Sequence, residues 1–296
     1  MKKRKILSLL LCVVMLLSVL ALPACNADAD TDKKPSDQTE NDGTPPADPD
    51  DDKKPEANTN PLQGKTVIWN GDSICYGSSA KGNWATRIAA NNELKAWKNY
   101  GIGGATIVEN APRYQSGGER HSVCATLDQM YEEYPDADYV ILEGGTNDAD
   151  LLGKITGGTF ALRCGAFAPD DFSGDYDTET FCGALESIFC RAKQYWPDAK
   201  ICFIVAQKMG TNTSTSNNRY AYFEIAMQIC EKWDIPYLNL WDNSDLDPTQ
   251  PDMYDPNKTA EENEQTPYTM YRDGQHLTAA GYDYTTDIID KWLKTL

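Results

Sequence analysis

The chain holds two histidines, His121 and His276, so any chemistry that needs an imidazole must draw on one of them. His276 closes the run Asp273-Gly274-Gln275-His276, ahead of a helical stretch. A carboxylate three residues before an imidazole, across a tight turn, can reach Nδ1, fix the tautomer and stabilise the imidazolium. Gly71-Asp72-Ser73 follows a short apolar run and can present a serine Oγ beside turn N–H groups and a helix start. Asn99-Tyr100-Gly101-Ile102-Gly103-Gly104 is a glycine-rich turn whose backbone can approach a ligand closely. Gly145-Thr146-Asn147-Asp148 offers a side-chain amide donor. Taken singly, each has a plain structural reading as a surface turn or a helix cap. His121 stands outside all four and reads as a surface residue.

The elements that must position these residues alternate. Lys65–Trp69, Tyr139–Leu142, Ile201–Val205 and Tyr237–Leu240 are short apolar runs of the kind that form buried strands. Between and after them, helical spacing recurs at Trp84, Ala85, Ile88 and Ala89, then at Phe181, Leu185, Ile188, Phe189 and Ala192. It returns at Tyr222, Ile225, Ala226, Ile229 and Trp233, and finally at Ile288, Ile289 and Trp292. This alternation implies an α/β fold with a central parallel sheet between helices. Ligands bind beyond the carboxyl ends of such strands. Asn70–Cys75, Glu143–Asp148 and residues 206–217 are therefore the turns to inspect, and the first two carry motifs.

Read in order from residue 71 to 276, G-D-S, N-x-G-x-x-G, G-x-N-D and D-x-x-H together resemble the four blocks of the SGNH (GDSL-type) hydrolases. The resemblance spans essentially the whole domain. It implies a three-layer α/β/α sandwich (SGNH/flavodoxin-like) and a Ser-His-Asp esterase. Ser73 would be the nucleophile, His276 the general base and then acid, and Asp273 its orienter. The Ser73 N–H, the Gly104 N–H and the Asn147 amide would form the oxyanion hole. Because Gly103-Gly104 is doubled, either glycine could be the donor; Gly104 is the preferred one.

The N-terminus reads as an address. Lys2-Lys3-Arg4-Lys5 precedes an apolar run from Ile6 to Leu22, then Pro23-Ala24-Cys25, a secretory pattern. Leu22-Pro23-Ala24-Cys25 resembles the bacterial lipobox, so residues 1–25 are expected to be a lipoprotein signal with Cys25 the lipidated residue. That places the protein at the extracellular face of a bacterial cell membrane, held by acyl chains. Residues 26–62, rich in Asp, Pro, Lys, Thr and Asn, read as a disordered acidic tether. Residues 63–296 form the catalytic domain.

Composition then excludes classes of function. The chain carries 45 Asp and Glu against 27 Lys and Arg, a poor basis for binding nucleic acid. The seven cysteines beyond Cys25 contain no C-x-x-C, and the 242–271 segment lacks EF-hand spacing. The G-x-G-x-x-G dinucleotide spacing also fails. No metal and no cofactor are expected. Two insertions look like substrate walls: residues 152–180 with Phe160, Phe167, Phe172 and Tyr176, and residues 242–271 with Tyr254, Tyr268, Tyr271 and eight carboxylates. Aromatic platforms stack on sugar rings, and an acidic rim suits a neutral glycan better than a polyanion. The expected substrate is a small acyl ester, acetyl above all, on polysaccharide. The competing readings are a lysophospholipase or thioesterase on the same fold, and a surface lipoprotein that binds glycan or solute without turnover.

Overall fold

A computed structural model describes residues 60–77, 82–111, 121–152, 164–210 and 213–296. The signal segment with Cys25, the tether as far as residue 59, and Phe160 lie outside these residues. Five strands, β1 (Thr66–Asn70), β2 (Ala96–Asn99), β3 (Tyr139–Glu143), β4 (Lys200–Val205) and β5 (Tyr237–Asn239), form one sheet in the order β2-β1-β3-β4-β5. Every neighbouring pair is parallel. Strands β1 and β3 are buried along their full length, as expected where helices cover both faces. The apolar runs read from the sequence correspond to β1, β3, β4 and β5, and Leu240 proves to open a short helix instead of closing β5.

The helices are α1 (Ser73–Tyr76), α2 (Trp84–Asn92), α3 (Val123–Glu133), α4 (Thr146–Leu151) and α5 (Phe181–Tyr195). They continue with α6 (Thr213–Lys232), α7 (Leu240–Asn243), α8 (Ala260–Gln265) and α9 (Ala279–Leu293). Helix α2 packs on α9, while α3, α5 and α6 pack in a row. The result is the three-layer α/β/α sandwich. Side-chain caps start two of the helices at the site: Asp72 for α1, and Thr278 for α9.

One boundary moves. Leu62 is fully buried in the core, and Asn60 Nδ2 donates to Asn92 Oδ1 at 3.0 Å. Asn60–Leu62 thus belong to the folded domain and not to the tether, because a leucine that packs there gains more from burial than it loses in ordering.

Candidate active site

In a 2-1-3-4-5 sheet the chain reverses its winding direction between β1 and β3, and a crevice opens at their carboxyl ends. Both motif-bearing turns lie there. Ser73 is the first residue of α1, directly after β1, and Asn147 is the second residue of α4, directly after β3.

The Ser73 turn is built by close approach. A Cβ on Gly71 would lie 2.6 Å from both Cys75 Cβ and Glu143 Oε2, so only glycine fits. Asp72 then caps the turn, its Oδ1 accepting the Ile74 N–H at 2.8 Å. From the other side, the Tyr282 hydroxyl of α9 donates to Ile74 O at 2.7 Å. Ser73 itself is 7% exposed.

His276 reaches this serine from a separate turn. Its Nε2 lies 2.9 Å from Ser73 Oγ, and its Nδ1 lies 2.8 Å from Asp273 Oδ2. The second Asp273 oxygen accepts the N–H groups of Gln275 and His276 at 3.0 and 2.8 Å. Burial would raise the Asp273 carboxyl. The hydrogen bond and charge of His276, with those two N–H groups, outweigh it and hold the acid down at about 2. An ionised Asp273 fixes the imidazole with Nδ1–H toward the carboxylate and Nε2 free to take the serine proton.

The turn is clamped on three sides. Arg272 N–H donates to His276 O at 2.8 Å, closing the turn on itself. The loop after β4 supplies Gly210 N–H to Gly274 O at 2.7 Å and Gln207 Nε2 to Gln275 O at 3.0 Å. Tyr254 lies against Gly274. The segment 206–210, which carries no motif, thus serves as the seat of the histidine turn.

The glycine turn and Asn147 meet. Asn147 Nδ2 donates to Ala105 O at 2.8 Å, which uses one of the two amide hydrogens. Ile102 N–H donates to Gly71 O at 3.1 Å, tying the same turn to the serine. Gly104 has φ +80°, whereas Gly103 does not lie in the left-handed region. Among the described residues no acceptor holds either glycine N–H. Asp148 is fully buried and accepts the Ile107 and Val108 N–H groups at 2.9 and 3.2 Å, with burial pushing it up to about 7.

Ser73, Gly104, Asn147, Asp273 and His276 therefore belong to turns that are hydrogen-bonded to one another or to the same neighbours. His121 does not join them: its carbonyl accepts the Thr106 N–H at 3.1 Å in an isolated bridge. The expected aromatic walls need correction. Phe167, Phe172 and Tyr176 surround Lys232 and Trp233, at the end of α6 that leads into β5, whereas Ser73 and Asn147 follow the carboxyl ends of β1 and β3. Tyr271 is buried, with its hydroxyl on Lys208 O, and Tyr268 is 84% exposed. Among the described residues, Tyr254 is the named aromatic that lies against Gly274 of the Asp273–His276 turn. Among the described residues no group of three or more His, Cys, Asp or Glu is placed to hold a metal.

Sequence reading missed Glu143, the last residue of β3, which lies 1% exposed against the nucleophile turn. Its only sequence signal is a carboxylate ending an otherwise apolar strand.

The fold is of the doubly wound α/β class, with a serine at the switch point and an imidazole and a carboxylate in line behind it. Residues 70–284 match the GDSL-like lipase/acylhydrolase family, and the chain belongs to that family. Among solved structures, a protein from Lactobacillus plantarum is 20% identical over 79% of this chain and 98% of its own, with a TM-score of 0.58. Est24, a carbohydrate acetylesterase from Sinorhizobium meliloti, is 13% identical over 78% of this chain and 99% of its own, with a TM-score of 0.50. At these identities the likeness is one of fold. No curated protein matches the sequence.

Proposed function

We propose that the protein is a serine esterase that removes small acyl groups, acetyl first, from polysaccharide, using Ser73, His276 and Asp273. The observation that carries this reading is the chain of contacts from Ser73 Oγ to His276 Nε2 at 2.9 Å and from His276 Nδ1 to Asp273 Oδ2 at 2.8 Å. His276 takes the Ser73 proton as Oγ attacks the ester carbonyl, then returns it to the departing alcohol. Water repeats the cycle on the acyl-enzyme. The Ser73 and Gly104 N–H groups and the second Asn147 amide hydrogen would hold the oxyanion, each donor contributing roughly 2.7–4 kcal/mol to lowering the barrier.

The substrate class rests on the rim. Tyr254 offers a ring beside the histidine turn, and the segment that holds it carries eight carboxylates against one lysine. That charge repels polyanions and leaves a neutral glycan ester as the better ligand. The name of Est24 agrees with this class. The basic and apolar N-terminal run ending in Leu22-Pro23-Ala24-Cys25 supports export, with Cys25 lipidated and the domain held outside a bacterial membrane by two acyl chains.

The purified protein should hydrolyse p-nitrophenyl acetate and take up a fluorophosphonate label at Ser73. A Ser73→Ala protein that kept full activity would overturn the mechanism. Faster turnover of p-nitrophenyl palmitate than of acetylated xylan would point instead to a lipid or thioester substrate.

A further inference from the structure

Two carboxyl groups behind the nucleophile have no part in the proton relay: Asp72, the middle residue of the G-D-S block, and Glu143, which lies outside all four blocks. Asp72 lies two residues beyond β1 and Glu143 ends β3, so neighbouring strands deliver both to one place. Asp72 is fully buried and Glu143 nearly so. Glu143 Oε2 accepts the Asp72 N–H at 3.1 Å, and Asp72 Oδ1 accepts the Ile74 N–H. The remaining oxygens, Asp72 Oδ2 and Glu143 Oε1, are both shut off from solvent, and neither makes a hydrogen bond of good geometry.

Two ionised carboxylates cannot occupy such a site, because each would be desolvated and repelled by the other. One proton placed between them removes the repulsion and supplies the missing donor. Burial and the charge of Asp72 push Glu143 well above the ordinary carboxylate range. Burial raises Asp72 too, but the Ile74 N–H, the charge of His276 and the Thr146 hydroxyl oppose the rise. The proton therefore belongs on Glu143. Other titratable groups facing the pair are Cys75 of α1 and Tyr282 of α9, both held neutral by burial, and Asp148 of α4. Arg87 faces Tyr282. Among the described residues, the His276 ring is set against Asp72, its Nε2 lying 2.9 Å from the adjoining Ser73 Oγ.

We propose that Glu143 is a positioning residue that stays protonated and bonds to Asp72, so that one fixed negative charge sits beneath Ser73 as a second counter-charge, beside Asp273, for the His276 imidazolium. This rests on the serine–histidine reading above. Glu143 touches no substrate; it acts by keeping Asp72 ionised and in place.

Isosteric amides separate charge from shape. Glu143→Gln retains a donor toward Asp72 and leaves the charge on Asp72. The double variant Asp72→Asn, Glu143→Gln keeps the hydrogen-bonding outline without any charge. The acid limb of kcat/KM on p-nitrophenyl acetate should hold its wild-type position in Glu143→Gln. In the double variant it should move about one pH unit lower, since an anion near the ring no longer favours the imidazolium. NMR titration of the His276 ring in a Ser73→Ala background, with His121 as the reference, should shift in parallel. The infrared band of a protonated carboxyl group should persist in the wild type at about pH 9, above the Asp148 range, and vanish in Glu143→Gln. Superimposed limbs for wild type and double variant, a Glu143→Gln limb displaced as far as the double, or no such band would each overturn the proposal. The infrared result decides the matter even if the double variant fails to fold. An active Ser73→Ala enzyme would remove the esterase mechanism, whereas the ring titration and infrared band would still report on the pair.

Discussion

His276 Nε2 lies 2.9 Å from Ser73 Oγ although 203 residues separate them. The contact joins the turn after β1 to the turn before α9, and Tyr282 of α9 bonds back to Ile74 O beside the serine. His276→Ala should therefore cut kcat by about 10³-fold or more while changing KM little, because the lost proton transfer matters only in the transition state. Asp273→Asn leaves the turn but loses the carboxylate that selects the tautomer, and a loss of about 10³–10⁴-fold is expected. Steady-state kinetics on p-nitrophenyl acetate would measure both.

Asn147 and the paired glycines make a second prediction. Asn147→Ala removes an amide that bonds Ala105 O and would serve the oxyanion, so kcat should fall about 10²–10³-fold. Gly104→Ala places a Cβ at φ +80° and should cost about 1 kcal/mol in stability. Gly103→Ala meets no atom within 4 Å and does not need a left-handed backbone, so its melting temperature should match the wild type. Melting curves alongside kinetics separate strain from catalysis.

Stability should depend on pH at two separate groups. Asp273 is depressed to about 2, below its unfolded value, so its contribution is present above about pH 4 and is lost as pH falls toward 2. Asp148 is displaced the other way, up to about 7. Folding favours its protonated form, so its contribution is full below about pH 4 and is lost as pH rises through 7. Asp148→Asn should flatten the decline in melting temperature between about pH 4 and pH 7 without altering the acid side.

The aromatic insertion yields a structural test. Lys232 and Glu186 form an ion pair with side chains 2% and 4% exposed, and Lys232 Nζ also donates to the carbonyls of Ala168 and Asp171. Lys232→Met leaves a buried carboxylate without its partner and should destabilise the domain by about 3–5 kcal/mol. It should also open residues 165–176 to limited proteolysis, while fluorophosphonate labelling of Ser73 in the still-folded protein continues.

Much of this architecture was legible because local physics wrote it. A parallel sheet buried on both faces needs continuous apolar runs, and β1, β3 and β4 supply them. The Gly71-Asp72-Ser73 turn and the Asp273-Gly274-Gln275-His276 turn are short enough for their residue types to imply their geometry. The strand Ala96–Asn99 is only part of a short apolar segment in sequence. Its side chains are half-exposed or exposed at the sheet edge, so no buried pattern marks it. The aromatics of residues 164–180 carried a misleading signal. Composition shows that rings are present, but only packing shows that they close over Lys232.

By itself the sequence determined the order of the four motifs, the alternation that puts them at strand ends, and the scarcity of histidine that singles out His276. Those features follow from residue type and short-range spacing. Which groups touch was decided by the tertiary structure. The parallel pairing of β1 with β3 brings Glu143 against Gly71 and Asp72, and the loop after β4 seats the histidine turn. Neither contact has a local signature, because each joins residues from separate strands through burial and hydrogen bonds that exist only once the sheet has formed.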